Sequence, residues 1–149
     1  IAEQFQNVIY QKYSHFVMAV GTGTPLAGVV SQLKLGQKAI GISALKGNFE
    51  LEDKITSLIP NHISIGSYEL IHDFHFGGYA KKTEELLDFI NKVYSLVNLP
   101  LDFVYTAKAF YALNYMLQNQ QIPKGSSVLF IHTGGLQGNH SLPKGRLIF

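Results

Sequence analysis

Apolar positions along the chain fall into short solid blocks separated by longer one-sided stripes, and that alternation predicts an α/β fold. His15 to Val20 (HFVMAV) and Lys38 to Ser43 (KAIGIS) are nearly unbroken apolar runs of strand length, the pattern of parallel strands covered on both faces. Ser127 to His132 (SVLFIH) is a third such run, and Tyr68 to Phe74 reads as strand-like or extended. Helical segments lie between them. Ala2 to Tyr13 carries Phe5, Val8 and Ile9 on one face. Pro25 to Leu35 opens with proline at the first helical position, where a missing N–H is tolerated, and Gly36 stands as its C-cap. Asn48 to Ile59 is stopped by Pro60. Lys82 to Val97 puts Leu86, Phe89, Ile90 and Val93 on one face, and Ala107 to Gln118 does the same with Phe110, Leu113 and Leu117. The strand, loop, helix and strand from His15 to Ser43 make one βαβ unit. The expectation is a single three-layer α/β domain over 1–149 with a mainly parallel sheet.

Composition narrows the function classes. The 149 residues suffice for one domain with its own core, and 46% apolar against 15% charged residues argues against disorder. A net charge of +2, with no basic run longer than Lys81-Lys82, points to neither nucleic acid nor a membrane surface. No apolar stretch approaches the roughly 20 residues of a membrane span, and no secretory signal pattern is present. Without cysteine there is no disulfide, thiol nucleophile or thiolate metal site. A cytoplasmic location is the default expectation. The chain opens on Ile1 inside what reads as a helix already under way, so a fragment of a longer protein is expected.

The candidate chemistry starts at Gly21-Thr22-Gly23-Thr24, between a strand and a helix. Glycines let backbone N–H groups turn inward, a helix N-terminus favours an anion, and Thr22 and Thr24 add hydroxyl donors. The dinucleotide fingerprint fails because Leu26 occupies its third glycine position, and no Gly-Lys-Ser/Thr follows as a Walker loop requires. These residues alone leave two readings open, a phosphate cradle and an ordinary glycine-rich turn.

Four segments decide between them by resemblance. GTGTPLAG, HFGGYAK (75–81), LDFVYTAKAFYAL (101–113) and VLFIHTGGLQG (128–138) resemble, in the same order, segments of the aminocyclopropane-carboxylate deaminase and D-cysteine desulfhydrase family. The resemblance implies the tryptophan-synthase-β-like fold of type II pyridoxal-phosphate enzymes, with this chain as the C-terminal part of the cofactor-binding large domain. It implies that Gly21, Thr22, Gly23 and Thr24 bind the phosphate of pyridoxal 5′-phosphate, with Pro25, which has no N–H, departing from the family's usual threonine. It assigns Tyr79 and Tyr105 to the catalytic site and Thr106 to the pyridine nitrogen. Where deaminases proper have glutamate, Thr106 leans the substrate toward D-cysteine, because a hydroxyl can hydrogen-bond only a neutral ring nitrogen. The products implied are a 2-oxo acid and ammonia, and the whole enzyme would be a homodimer.

The lysine that would hold the cofactor is missing from these segments, and Lys108 and Lys81 read better as structural or solvated residues. The 149 residues alone are therefore expected to be inactive. No metal is expected: in an extended His72-Asp73-Phe74-His75 the two imidazoles diverge. His132 and Thr133 end a strand and could border the cofactor ring, or be satisfied by backbone. No Gly-x-Ser-x-Gly elbow occurs. The reading from a different class is a non-catalytic phosphate- or nucleotide-binding α/β module.

Overall fold

Strand β1 (His15–Val20) sends Phe16, Met18 and Val20 into one apolar layer and Val17 and Ala19 into another, the period-two alternation of a strand buried on both faces. The computed structural model describes residues 12–60 and 66–149; the helix expected over Ala2–Tyr13 lies almost wholly outside them. β1 is flanked by β2 (Lys38–Ser43) and β4 (Val128–Ile131), and β3 (Ser67–Ile71) joins β2. All three pairings are parallel, in the order β3-β2-β1-β4, with Phe16 opposite both Ala39 and Leu129.

Helices α1 (Thr24–Val30) and α2 (Leu51–Leu58) cover one face of the sheet, through Leu26, Val29, Val30, Leu51 and Ile55. Helix α4 (Thr106–Gln118) covers the other through Ala109, Ala112, Leu113 and Met116. Helix α3 (Glu84–Val97) packs outside α4, with Leu86, Leu87, Ile90 and Val93 against Ala107 and Val104. Each of the fully buried leucines and isoleucines contributes roughly 1.5–3 kcal/mol relative to exposure. The expected α/β architecture with a parallel sheet holds, and α3 extends one side of it by a further layer.

Several boundaries differ from expectation, each for a side-chain reason. The helix expected over Pro25–Leu35 ends at Val30, where the Ser31 hydroxyl donates to the Gly28 carbonyl and the next amides bond three residues back. Gly36 is therefore not its C-cap; it lies in a turn closed by Gln37, whose Oε1 accepts from the Lys34 amide at 2.8 Å while its Nε2 donates to the Tyr13 carbonyl at 2.8 Å. The helix expected over Asn48–Ile59 covers Leu51–Leu58, and that over Lys82–Val97 starts at Glu84, because Thr83 Oγ1 accepts from the Leu86 amide as N-cap. The strand expected to reach Phe74 stops at Ile71. Phe74 turns instead toward α4, its ring 5.4 Å from that of Tyr115. Leu117, placed in the core by its spacing, is 49% exposed; Met116 takes that position.

Candidate active site

In a parallel sheet every strand points its carboxyl end at the same edge, and the loops that follow gather there. Here they are Gly21–Thr24 after β1, the segment from Ala44 after β2, His72–Ala80 after β3, and His132–Gly135 after β4. Helix α4 returns toward β4 and so starts at the same edge, with Tyr105 as its N-terminal flank.

The phosphate-type turn and Tyr105 meet directly. A Cβ built on Gly21 would lie 3.2 Å from Tyr105 Cε1 and 3.6 Å from its hydroxyl, so the ring rests on bare glycine backbone. Gly23 has φ +86, and a Cβ there would lie 2.7 Å from Ile55 Cγ1; its glycine is demanded by the left-handed turn and by packing on α2. Thr22 and Thr24 are exposed at this turn. Tyr79 stands on the outer side of Tyr105, with ring centroids 6.1 Å apart in an edge-on arrangement. The Tyr105 hydroxyl is held above the ordinary tyrosine pKa, first by burial and then by the charge and hydrogen bond of Tyr79, with a smaller push from Asp102. At neutral pH Tyr105 keeps its proton.

Beneath Tyr105 lies a fully buried carboxylate. Asp102 Oδ1 accepts from the amides of Val104 (2.9 Å) and Tyr105 (2.8 Å), and Oδ2 accepts from the Thr106 amide (2.9 Å) and the Thr106 hydroxyl (2.6 Å). The Asp102 amide donates back to Thr106 Oγ1 at 2.9 Å. This reciprocal cap fixes the first turn of α4 and, with it, the backbone of Tyr105. Gly135 closes over the carboxylate: a Cβ there would lie 3.2 Å from Asp102 Oδ2.

The structure thus brings Gly21, Tyr105 and Tyr79 together, and sets Thr22 and Thr24 at the same turn. It places Thr106 inside, 0% exposed, with its hydroxyl engaged on both sides by Asp102. His132 takes the backbone option: Nδ1 accepts from the Gly134 amide at 3.1 Å, and Nε2 lies 2.9 Å from the Pro100 carbonyl. Thr133 is exposed at this edge. Among the described residues, no group of three His, Cys, Asp or Glu is placed to hold a metal ion. Sequence reasoning missed Asp102 as the organiser of the site. A carboxylate four residues before a threonine, ahead of an apolar helix, was the available signal.

Over most of its length the chain matches proteins named as 1-aminocyclopropane-1-carboxylate deaminases or D-cysteine desulfhydrases. A bifunctional D-cysteine desulfhydrase/1-aminocyclopropane-1-carboxylate deaminase of Arabidopsis thaliana mitochondria is 34% identical over 134 residues, covering 85% of this chain and 33% of that protein. The chain is a homologue of the deaminase and desulfhydrase proteins. A Pyrococcus furiosus protein provisionally named a 1-aminocyclopropane-1-carboxylate deaminase is 34% identical over 147 residues, covering 93% of this chain and 44% of the relative. The solved structure of an aminocyclopropane-carboxylate deaminase homologue superimposes with a TM-score of 0.76 at 29% identity, covering 93% of this chain and 44% of that one. This chain therefore spans less than half the length of the relatives it matches. No protein-family model matches it. No helix among the described residues is long and apolar enough to cross a membrane.

Proposed function

We propose that this chain is the C-terminal, phosphate-holding part of a pyridoxal-phosphate-dependent deaminase or desulfhydrase acting on a small amino acid. The observation that carries the proposal is the stack of Tyr79 on Tyr105 on the bare backbone of Gly21. The phosphate end of the cofactor fits this edge. Any side chain at Gly21 would press on the Tyr105 ring, the exposed hydroxyls of Thr22 and Thr24 stand at the same turn, and the first amides of α1 have no partner within the helix. Pro25 removes one such amide, and α1 has only two turns, so the hydroxyls and the glycine backbone carry most of the hold. When bound, the cofactor withdraws electrons from the substrate Cα.

The residues of this chain then supply positioning and protons. Tyr105, kept protonated by burial and by the neighbouring Tyr79, supports the Tyr79 ring edge-on. Tyr79, 60% exposed, presents its hydroxyl to a leaving group or a substrate carbon. Thr106 donates to a ring nitrogen only by giving up its bond to Asp102, and Thr133 is a further exposed hydroxyl at the same edge. D-cysteine and 1-aminocyclopropane-1-carboxylate therefore both remain within the proposal. The lysine that would hold the cofactor is proposed to lie outside the 149 residues, and the whole enzyme to be a cytoplasmic homodimer. A phosphate-binding module without catalysis would leave the tyrosine pair without a task.

The test is turnover by the product of the complete reading frame. Pyruvate and sulfide from D-cysteine, or 2-oxobutyrate from the cyclopropane substrate, is expected, each with ammonia. Tyr79→Phe should cut kcat by about 100-fold or more, the usual worth of a positioned proton donor. Release of neither 2-oxo acid by cofactor-saturated protein would refute the proposal.

A further inference from the structure

A buried lysine demands an explanation, because an ammonium group out of water is costly and an apolar side chain would fill the same space without that cost. Lys108, in the first turn of α4, is 0% exposed. Its Nζ donates to the Gly78 carbonyl at 2.7 Å, joining α4 to the loop that carries Tyr79. We propose that Lys108 is a positioning residue for Tyr79: it grips the Gly78 carbonyl from beneath and so sets the Tyr79 ring against Tyr105. The inference rests on the active-site reading of the two tyrosines.

The loop needs such a grip. Phe76, Gly77, Gly78 and Ala80 all have positive φ, at 49°, 94°, 118° and 51°, and two of these are not glycine. Backbone of this kind persists only when its surroundings hold it. Within the loop, the Gly78 amide donates to the His75 carbonyl at 3.0 Å, the Gly77 amide to His75 Nδ1 at 3.0 Å, and the Lys81 amide to the Gly78 carbonyl at 3.1 Å. These bonds shape the turn but do not attach it to the domain. Besides the Tyr79–Tyr105 ring contact itself, attachment comes from Phe76, edge-on to Tyr111 at 5.0 Å, and from Lys108 at the residue next to Tyr79. Tyr79 itself is 60% exposed, so the position of its ring follows from the backbone beneath it. Asp102, the carboxylate that fixes Tyr105, also favours the charged form of Lys108. One buried acid just ahead of α4 and one buried base in its first turn therefore hold the two tyrosines.

The discriminating measurement is the through-space contact between the Tyr79 and Tyr105 rings, read by NMR at pH 7 on protein labelled at tyrosine. Lys108→Met keeps the length and removes the donor. Leu113→Ala, which cuts the α4 core away from this loop, controls for lost stability. The expected result is loss of the ring–ring cross-peak in Lys108→Met and its retention in Leu113→Ala. A cross-peak of unchanged intensity in folded Lys108→Met overturns the proposal and leaves Lys108 as packing. If Lys108→Met does not fold, Gly78→Ala is read the same way, since it disturbs the gripped carbonyl at φ +118 and leaves α4 intact. No turnover is involved, so a failure of the protein to act on amino acids counts against the proposed activity alone.

Discussion

Replacing Asp102 by Asn tests whether one carboxylate organises the site. The side chain keeps its shape, but one acceptor oxygen becomes an NH₂. That group must face either the amides of Val104 and Tyr105 or the amide and hydroxyl of Thr106, at distances now between 2.6 and 2.9 Å. The Thr106 hydroxyl can rotate to accept, but backbone amides cannot. One or two buried donors therefore lose their acceptor, at about 1–3 kcal/mol each. The carboxylate's charge-assisted bonds weaken as well, so a total of about 2–5 kcal/mol is expected. Against a typical domain stability of about 5–15 kcal/mol that is a large fraction. For a chain of this size it lowers Tm by roughly 5–15 °C. Urea unfolding followed by circular dichroism measures it, with Asp53→Asn on the exposed first turn of α2 as a control expected to cost at most about 1 kcal/mol. A cost below about 0.5 kcal/mol for Asp102→Asn, in the range of ordinary surface changes, would refute the account of Asp102 as the cap on which Tyr105 rests.

Two further outcomes follow from packing and burial. Gly23→Ala should destabilise more than Gly36→Ala: both residues have φ above +80°, but a Cβ at 23 meets Ile55 at 2.7 Å whereas one at 36 meets nothing within 4 Å, so the difference in urea midpoint isolates the close approach to α2. Burial lowers the Lys108 pKa to about 8 from 10.5, partly opposed by Asp102. Between those values the unfolded chain holds a proton that the folded chain has released, so stability should rise with pH from about 8 to 10, by at most about 3 kcal/mol. Tyr105, shifted upward, acts in the opposite sense only above its ordinary pKa. Unfolding free energies measured across that window should lose their slope in Lys108→Met; a flat profile in the unaltered protein would contradict the burial of this charge.

Strands were legible in the sequence wherever burial on both faces leaves no polar residue to interrupt the run. His15–Val20 and Lys38–Ser43 match residue for residue, and Ser127–His132 loses only its two ends. Ends of other elements were not legible, because side chains far away in sequence decide them. Gln37 folds the turn after α1 by reaching the Tyr13 carbonyl, a contact across 24 positions that no local window contains. Phe74 continues the apolar pattern of β3 but is worth more against Tyr111 and Tyr115, so the strand ends before it. Leu117 follows Leu113 at a helical interval, yet the stripe that faces the sheet runs through Ala109, Ala112, Leu113 and Met116, and Leu117 is left 49% exposed beside it.

The site divides along the same line. Gly21–Thr24 is visible locally as a glycine turn between strand and helix, but the turn by itself leaves a phosphate cradle and an ordinary connection both open. Tyr79 and Tyr105 are not visible in that way: eight tyrosines compete, and only topology brings positions 21, 79 and 105 to one edge. That topology follows from β4 pairing beside β1, which obliges α4 to begin at the carboxyl edge, over Gly21. Thr106 shows the limit of carrying a role across by motif. The resemblance puts it beside the pyridine nitrogen, but Asp102 lies four residues earlier, and a hydroxyl that donates to a buried carboxylate at 2.6 Å has no proton left to offer a neutral ring nitrogen. What its oxygen could still do is accept, and an acceptor beside a pyridine nitrogen favours the protonated ring, the state usually credited to glutamate at this position. The threonine therefore carries less information about substrate than its identity suggests, because the buried aspartate behind it decides which way its proton points.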